Sequence, residues 1–223
     1  MQRKKVVLSW SSGKDSAWAL KVLREADEVD VVGLLTTFNA THERVAMHAV
    51  RRQLAREQAA VVGLPLREVD LPWPCSNEVY ETRMQEACDA LEADGVERIA
   101  FGDLFLEDVR AYREKQLART RLEPMFPIWG LETTELARTM IASGLRAQLT
   151  CIDPKALDPS FAGRAYDGAL LADLPDGVDP CGERGEFHTF VWDGPMFTRP
   201  LAVATGEVVE REGFVFCDLT PKS

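Results

Sequence analysis

Residues 11–16 read Ser-Ser-Gly-Lys-Asp-Ser, set between an apolar run and a resuming apolar pattern. A strand that feeds a tight loop at a helix start offers free N–H groups and the positive end of the helix dipole. Both favour phosphate. Ser11, Ser12 and Ser16 add hydroxyl donors, and Gly13 lets the backbone come close to a ligand. A Walker loop would place a hydroxyl after Gly13-Lys14, with a second glycine upstream; this chain has Asp15 there and lacks that glycine. Asp15 suits a first helical turn, and it equally suits a divalent cation shared with phosphate oxygens, since Mg²⁺ is usually held by one or two carboxylates plus phosphates. A plain Ser/Asp capping cluster with no ligand remains open on spacing alone.

A second group lies at residues 181–190, CGERGEFHTF. Cys181-Gly182 and Gly185 permit a tight turn, after which the chain reads as extended. In a strand, residues two apart share a face, so Glu186 and His188 are expected to point the same way. A carboxylate beside an imidazole is an acid/base or ammonium-holding pair, and Glu183 can join it across the turn. The alternative is a polar strand edge with a surface histidine.

Gly102-Asp103 closes a strand, and in open α/β sheets ligands sit at the carboxyl ends of strands. That places Asp103 where it can bind Mg²⁺ or substrate. Glu107, Asp108, Arg110 and Arg113 open the following helix. Arg110 and Arg113 share one face, and their guanidinium forks suit a carboxylate or phosphate. A salt-bridged exposed helix is the alternative, and it is preferred for Lys115, Arg119 and Arg121. Asn39, Arg44 and His48 follow the second strand, where they could face the adenosine half of a nucleotide; His42 and His48 could equally be surface residues. Ser76 or Asn77 should cap the next helix, and Cys75 is open to a substrate-side role, although a lone cysteine is more often a small packed hydrophobe.

The elements that must position these groups alternate. Strands are expected over 5–9, 29–38, 66–70 and 97–104, with helices over about 16–26, 45–62 and 77–93. Near-continuously apolar strands, each followed by an amphipathic helix, predict an α/β fold with a doubly wound, mostly parallel sheet. Past residue 105 the pattern loosens. A polar helix precedes PMFPIWG, which two prolines keep irregular. A helix near 133–143 and a strand near 147–152 follow, then a loop-like stretch over 156–185 around one short helix. The end of the chain is expected to form a β-hairpin turning near Thr205–Gly206. The expected division is a nucleotide-binding domain over 1–104 and a smaller α+β substrate-binding part over 105–223.

The chain has 223 residues, 46% hydrophobic and 28% charged, enough for a sizeable core. Its formal net charge of −10 disfavours nucleic acid and anionic membranes as partners. No stretch is apolar and long enough to span a bilayer, and the basic-then-apolar start runs into the glycine loop instead of a cleavage site. Five cysteines without C-x-x-C spacing suggest neither a disulfide framework nor zinc; the expected location is the cytoplasm.

SSGKDS resembles the S-G-G-x-D-S loop of the PP-loop ATP pyrophosphatases (adenine nucleotide alpha hydrolases), with Ser12 in place of the first glycine. That resemblance implies a Rossmann-like fold that cleaves ATP between its α and β phosphates. FGDLFLEDVRAYRE (101–114) and DPCGERGEFHTFVWDGPMF (179–197) resemble the two signature blocks of the diphthine–ammonia ligase family. With the loop, they span nearly the whole chain in the right order. What this implies is an ATP- and Mg²⁺-dependent amide ligase: a small-molecule or protein carboxylate becomes acyl-AMP, and ammonia displaces AMP. The implied ATP-binding set is Ser11, Ser12, Gly13, Lys14, Asp15, Ser16, Asn39 and His48. Asp15 and Asp103 would hold metal, and Lys14, Asp103, Glu183, Glu186 and His188 would be catalytic. Gly102, Glu107, Asp108, Arg110 and Arg113 would bind substrate. Diphthamide-making members carry G-E-Y-E-T where this chain has Gly185-Glu186-Phe187-His188-Thr189, a form that resembles a bacterial branch suspected of serving cobamide salvage. A tRNA sulfur-transfer enzyme and a non-catalytic adenine-nucleotide-binding regulator are the rival readings. A homodimer is left open.

Overall fold

The computed structural model describes residues 3–46 and 48–222. Among these, ten strands form two sheets. The first contains β1 (Lys4–Ser9), β2 (Val29–Asn39), β3 (Arg44–Val45), β4 (Leu66–Leu71), β5 (Arg98–Ala100) and β6 (Glu123–Met125). β4, β2, β1, β5 and β6 lie side by side and parallel. Only β3 runs antiparallel, bonded to Phe38 and Asn39 where β2 extends beyond the end of β1. The second sheet is antiparallel, in the order β8 (Phe187–Asp193), β7 (Arg146–Ile152), β10 (Phe214–Pro221), β9 (Val203–Arg211).

The expected α/β class and doubly wound parallel sheet are present, and β1 shows why. Val6 and Leu8 face one core with α1 (Lys14–Glu25) and α5 (Thr133–Ala142), while Val7 faces another with α3 (Asn77–Ala93) and α4 (Glu107–Leu117). Both faces are covered, so the strand must be apolar throughout, at about 1.5–3 kcal/mol per fully buried aliphatic side chain. A third cluster, with Phe38, Val45, Leu54 of α2 (Arg52–Val62), Phe190 and Leu219, joins the two sheets.

Three expectations need correction. Pro124 and Met125, the first two residues of the proline-rich stretch, do lie in a strand: β6 is at the end of its sheet, so the N–H that Pro124 lacks is not needed there. The second helix starts at Arg52, because 44–45 pair with β2 first. The terminal hairpin turns at Glu212-Gly213, both with positive φ (53° and 81°), as a tight two-residue hairpin turn requires. Gly206 instead lies inside β9, where a Cβ would come within 3.3 Å of the Asp218 carbonyl oxygen.

Candidate functional site

The loop 11–13 leaves the carboxyl end of β1, whose neighbours are β2 and β5. This is where the strand order reverses, the usual ligand position in such a sheet. Ser12 adopts φ 71°, a left-handed conformation costly for a residue with a Cβ. Its hydroxyl is buried without a hydrogen-bond partner. The Ser12 carbonyl accepts from Val191 N at 3.0 Å and from Gln58 Nε2 at 3.1 Å, while Gln58 Oε1 accepts from Trp10 Nε1 at 3.0 Å. Gln58, fully buried on α2, thus pins the loop to β1 and β8. Ser11 Oγ accepts from Gly13 N and lies 3.2 Å from Ser16 Oγ, which donates to the Gly13 carbonyl.

Close approach accounts for two glycines. A Cβ at Gly13 would lie 3.2 Å from His48 Cε1 and from the Thr189 carbonyl. At Gly102 it would lie 2.9 Å from the backbone of Asp15. Gly102 is therefore the seat on which the first turn of α1 rests.

Lys14 is 2% exposed. Its Nζ donates to both Asp15 oxygens, at 3.0 and 2.8 Å, and to the Cys181 carbonyl, and it lies 5.5–5.6 Å from the ring centres of Phe187 and Tyr166. Burial alone would favour neutral lysine, but the Asp15 carboxylate outweighs it and holds the ammonium charged. Asp15, at 26% side-chain exposure, reaches solvent more than its partner does.

The turn 179–186 closes over this pair. Asp179 accepts from the amides of Cys181 and Glu183, and Glu186 accepts from those of Asp179 and Arg184. Each Glu186 oxygen thus accepts a backbone hydrogen bond, and Glu186 lies just before β8 while His188 lies within it. Glu183 Oε1 accepts from Leu104 N at 2.7 Å, joining the turn to the segment that follows β5. Burial, opposed by that hydrogen bond and reinforced by the charge of Asp15, raises its pKa to about 7.

A cavity of about 280 Å³ opens beside the loop, lined by Ser11 and Thr37 at strand ends, Tyr80 and Met84 of α3, and Tyr112 and Arg113 of α4. Arg113 lies over the Phe101 ring and approaches Asp103 only to 3.6 Å, so Asp103 Oδ2 and Arg113 Nε are buried without hydrogen-bond partners among the described residues. Burial pushes the Asp103 pKa up, against the pull of Arg113. These orphaned polar atoms suit a phosphate- and cation-bearing ligand. Among the described residues no group of three or more His, Cys, Asp or Glu could hold a metal alone; the donor set fits Mg²⁺ carried in with phosphates.

His48 lines this cavity, and its ring centre lies 4.5 Å from that of His188. Burial lowers the His188 pKa to about 4 and holds the His48 pKa well below its ordinary value, so both rings are neutral at physiological pH. His188 faces a second cavity, of about 310 Å³, between the β2–β3 edge and the β9–β10 hairpin.

Other expected residues lie elsewhere. Asn39 lines the second cavity, and its Oδ1 accepts from the amides of Thr41 and His42. Arg44 also lines it, bound to Asp218 and the Ala49 carbonyl. Glu107 and Asp108 are exposed in the first turn of α4. Arg110 pairs with Glu114 and stacks on Phe126 and Trp129, outside both cavities. Ser76 caps α3 as expected, accepting from Val79 N. Cys75 lines the second cavity. The sequence reading missed Gln58, Asp179 and Thr189, and also Tyr80 and Met84, whose i,i+4 spacing on an amphipathic helix was the available signal.

No described helix is long and apolar enough to cross a membrane. Two family models match the chain, the diphthamide synthase N-terminal domain over residues 4–122 and the diphthamide synthase C-terminal domain over 132–220. Similar proteins include the diphthine–ammonia ligase of Mus musculus, 25% identical over 201 residues, covering 86% of this chain and 73% of that protein. That of Homo sapiens is 27% identical over 173 residues, covering 75% and 65%. That of Bos taurus is 31% identical over 180 residues, covering 78% and 67%.

Proposed function

The chain belongs to the diphthamide synthase family, and from that membership we propose that it is an ATP-dependent amide ligase that uses ammonia. The observation that supports this most is convergence: residues 11–16, 102–104 and 179–189, far apart in sequence, meet through Lys14 N–Thr189 Oγ1 at 3.1 Å and Leu104 N–Glu183 Oε1 at 2.7 Å.

In this reading ATP occupies the 280 Å³ cavity with its phosphates on the loop, toward Ser11, Ser12 and the first turn of α1. Asp15 and Asp103 would hold Mg²⁺, which would supply charge neutralisation for a departing pyrophosphate. Lys14, kept charged by Asp15, stabilises the same leaving group. Arg113, on the wall of the same cavity, faces the phosphates. A carboxylate oxygen attacks the α-phosphorus, pyrophosphate leaves, and acyl-AMP remains. Ammonia then attacks the acyl carbon, AMP leaves, and the surplus proton passes to Glu183, whose pKa near 7 suits a base at neutral pH. Residues 1–104 carry the nucleotide loop in this reading, and 105–223 supply Arg113, Glu183 and His188.

Sulfur transfer needs a thiolate, and burial pushes the Cys151 and Cys181 thiols up to about 12, which disfavours that rival. The test is incubation with ATP, Mg²⁺, ¹⁵N-ammonium and a panel of carboxylic acids, cobamide-type acids included. AMP, pyrophosphate and a labelled amide are expected; ADP with phosphate would overturn the reading.

A further inference from the structure

In the reading above, ATP fills the first cavity and leaves the 310 Å³ cavity open. We infer that it is the acid-binding site, and that its occupant is a small monocarboxylic acid with a flat, apolar ring body, seated carboxylate-first against His188. This rests on the ligase reading above and adds the substrate class.

Position supports it. Val45 and Ala46 line both cavities, so the two lie back to back. The partition is the pair His48 and His188, and the His48 ring touches the loop at Gly13. A molecule filling the second cavity therefore ends one imidazole pair from the phosphate loop.

Chemistry supports the class. The walls present Leu71, Pro72, Trp73, Phe214 and Phe216, mainly ring and aliphatic surface. Trp73 is 50% exposed, a large aromatic left on the rim, 6.4 Å from His42. Aromatic faces of this kind receive a flat apolar body. Orientation follows from the cations. Arg44, at the cavity wall, is already bound to Asp218 and the Ala49 carbonyl, and Arg51 shares the same Asp218. Arg211 lies at the hairpin end beside Glu212. Arg44 and Arg51 are thus engaged and do not trap a carboxylate at the wrong end, while Arg211 has no ion-pair partner among the described residues. At the inner end, an uncharged imidazole can donate one N–H while leaving the carboxylate free to attack.

Calorimetric titration without nucleotide or ammonia tests this, using phenylacetate and 2-naphthoate against acetate and hexanoate. The ring acids are expected to bind at least tenfold more tightly than the other two. Trp73→Ala and Phe214→Ala should each weaken them about tenfold while ATP affinity stays within twofold. Equal weak binding of all four acids would overturn the inference. So would indifference to both substitutions, displacement of the acids by ATP, or binding only of an acid borne on a peptide. Because no turnover is read, failure of the amide assay and failure of this site are separate results.

Discussion

The amide of Lys14 donates to the hydroxyl of Thr189 at 3.1 Å, a bond that spans 175 positions in the chain and ties the first helical turn to β8. One of the N–H groups exposed by every helix start is therefore fixed by protein, which sets the angle of the loop for its ligand. Thr189→Val keeps the shape and removes the acceptor. A buried N–H left unpaired costs about 1–3 kcal/mol. The melting temperature should fall by roughly 2–10 °C for a chain of this size, and ATP should bind more weakly. A variant that melts and binds ATP like the parent would show that the loop is held by other contacts.

Ser12 carries strain and an orphaned hydroxyl together. Ser12→Gly relieves about 1–2 kcal/mol of left-handed strain, partly offset by about 0.4–1 kcal/mol from the freer unfolded chain. The apo protein should be slightly more stable, while ATP affinity falls if the hydroxyl contacts phosphate. Opposite signs in a melting scan and an ATP titration are the expected pattern. Loss of stability on substitution would mean that Ser12 is not strained in solution.

Gly102→Ala drives a methyl group to 2.9 Å from the backbone of Asp15, which cannot yield as a flexible side-chain tip would. Overpacking of this kind costs about 1–3 kcal/mol, and the first turn of α1 must move. ATP affinity is expected to drop at least tenfold with circular dichroism preserved. Parent-like affinity would show that this seat does not set the loop.

The parallel half was legible because β1, β2 and β5 are buried on both faces and read as unbroken apolar runs before a glycine loop. The carboxyl-terminal half was less so. β9 is exposed along residues 207–211 and carries Glu207, Val208, Val209, Glu210 and Arg211, with no alternation to mark a strand, so Gly206 read as the turn in place of Glu212-Gly213. Period-two parity put Glu186 beside His188, but Glu186 precedes β8 and folds back to close the turn 179–186. The second cavity brings together strands more than a hundred residues apart, a closeness that no local pattern encodes. Asp103 and Arg113 were singled out from strand-end and helix-face positions alone; Arg113 lines the first cavity, and Asp103 lies 3.6 Å from its guanidinium.

Glu183 offers the sharpest pH test. Its folded pKa is about 7 against an ordinary 4.5, raised chiefly by burial. Between those values the folded protein keeps a proton that the unfolded chain has released, so stability falls as pH rises from about 4.5 through 7 and is level above. Glu183→Gln keeps an acceptor for Leu104 N and removes the titration. The variant should therefore melt higher than the parent at pH 8, by a margin that vanishes near pH 4. Activity should move the other way. Loss of a general base costs about 10²–10⁴-fold, confined to the ammonia step, so ATP–pyrophosphate exchange with the acid should persist while amide formation collapses. The parent's amide-forming rate should rise through about pH 7 as the carboxyl group loses its proton. Amide formation by Glu183→Gln at the parental rate would remove Glu183 from the proton path, and a margin in melting temperature independent of pH would remove its raised pKa.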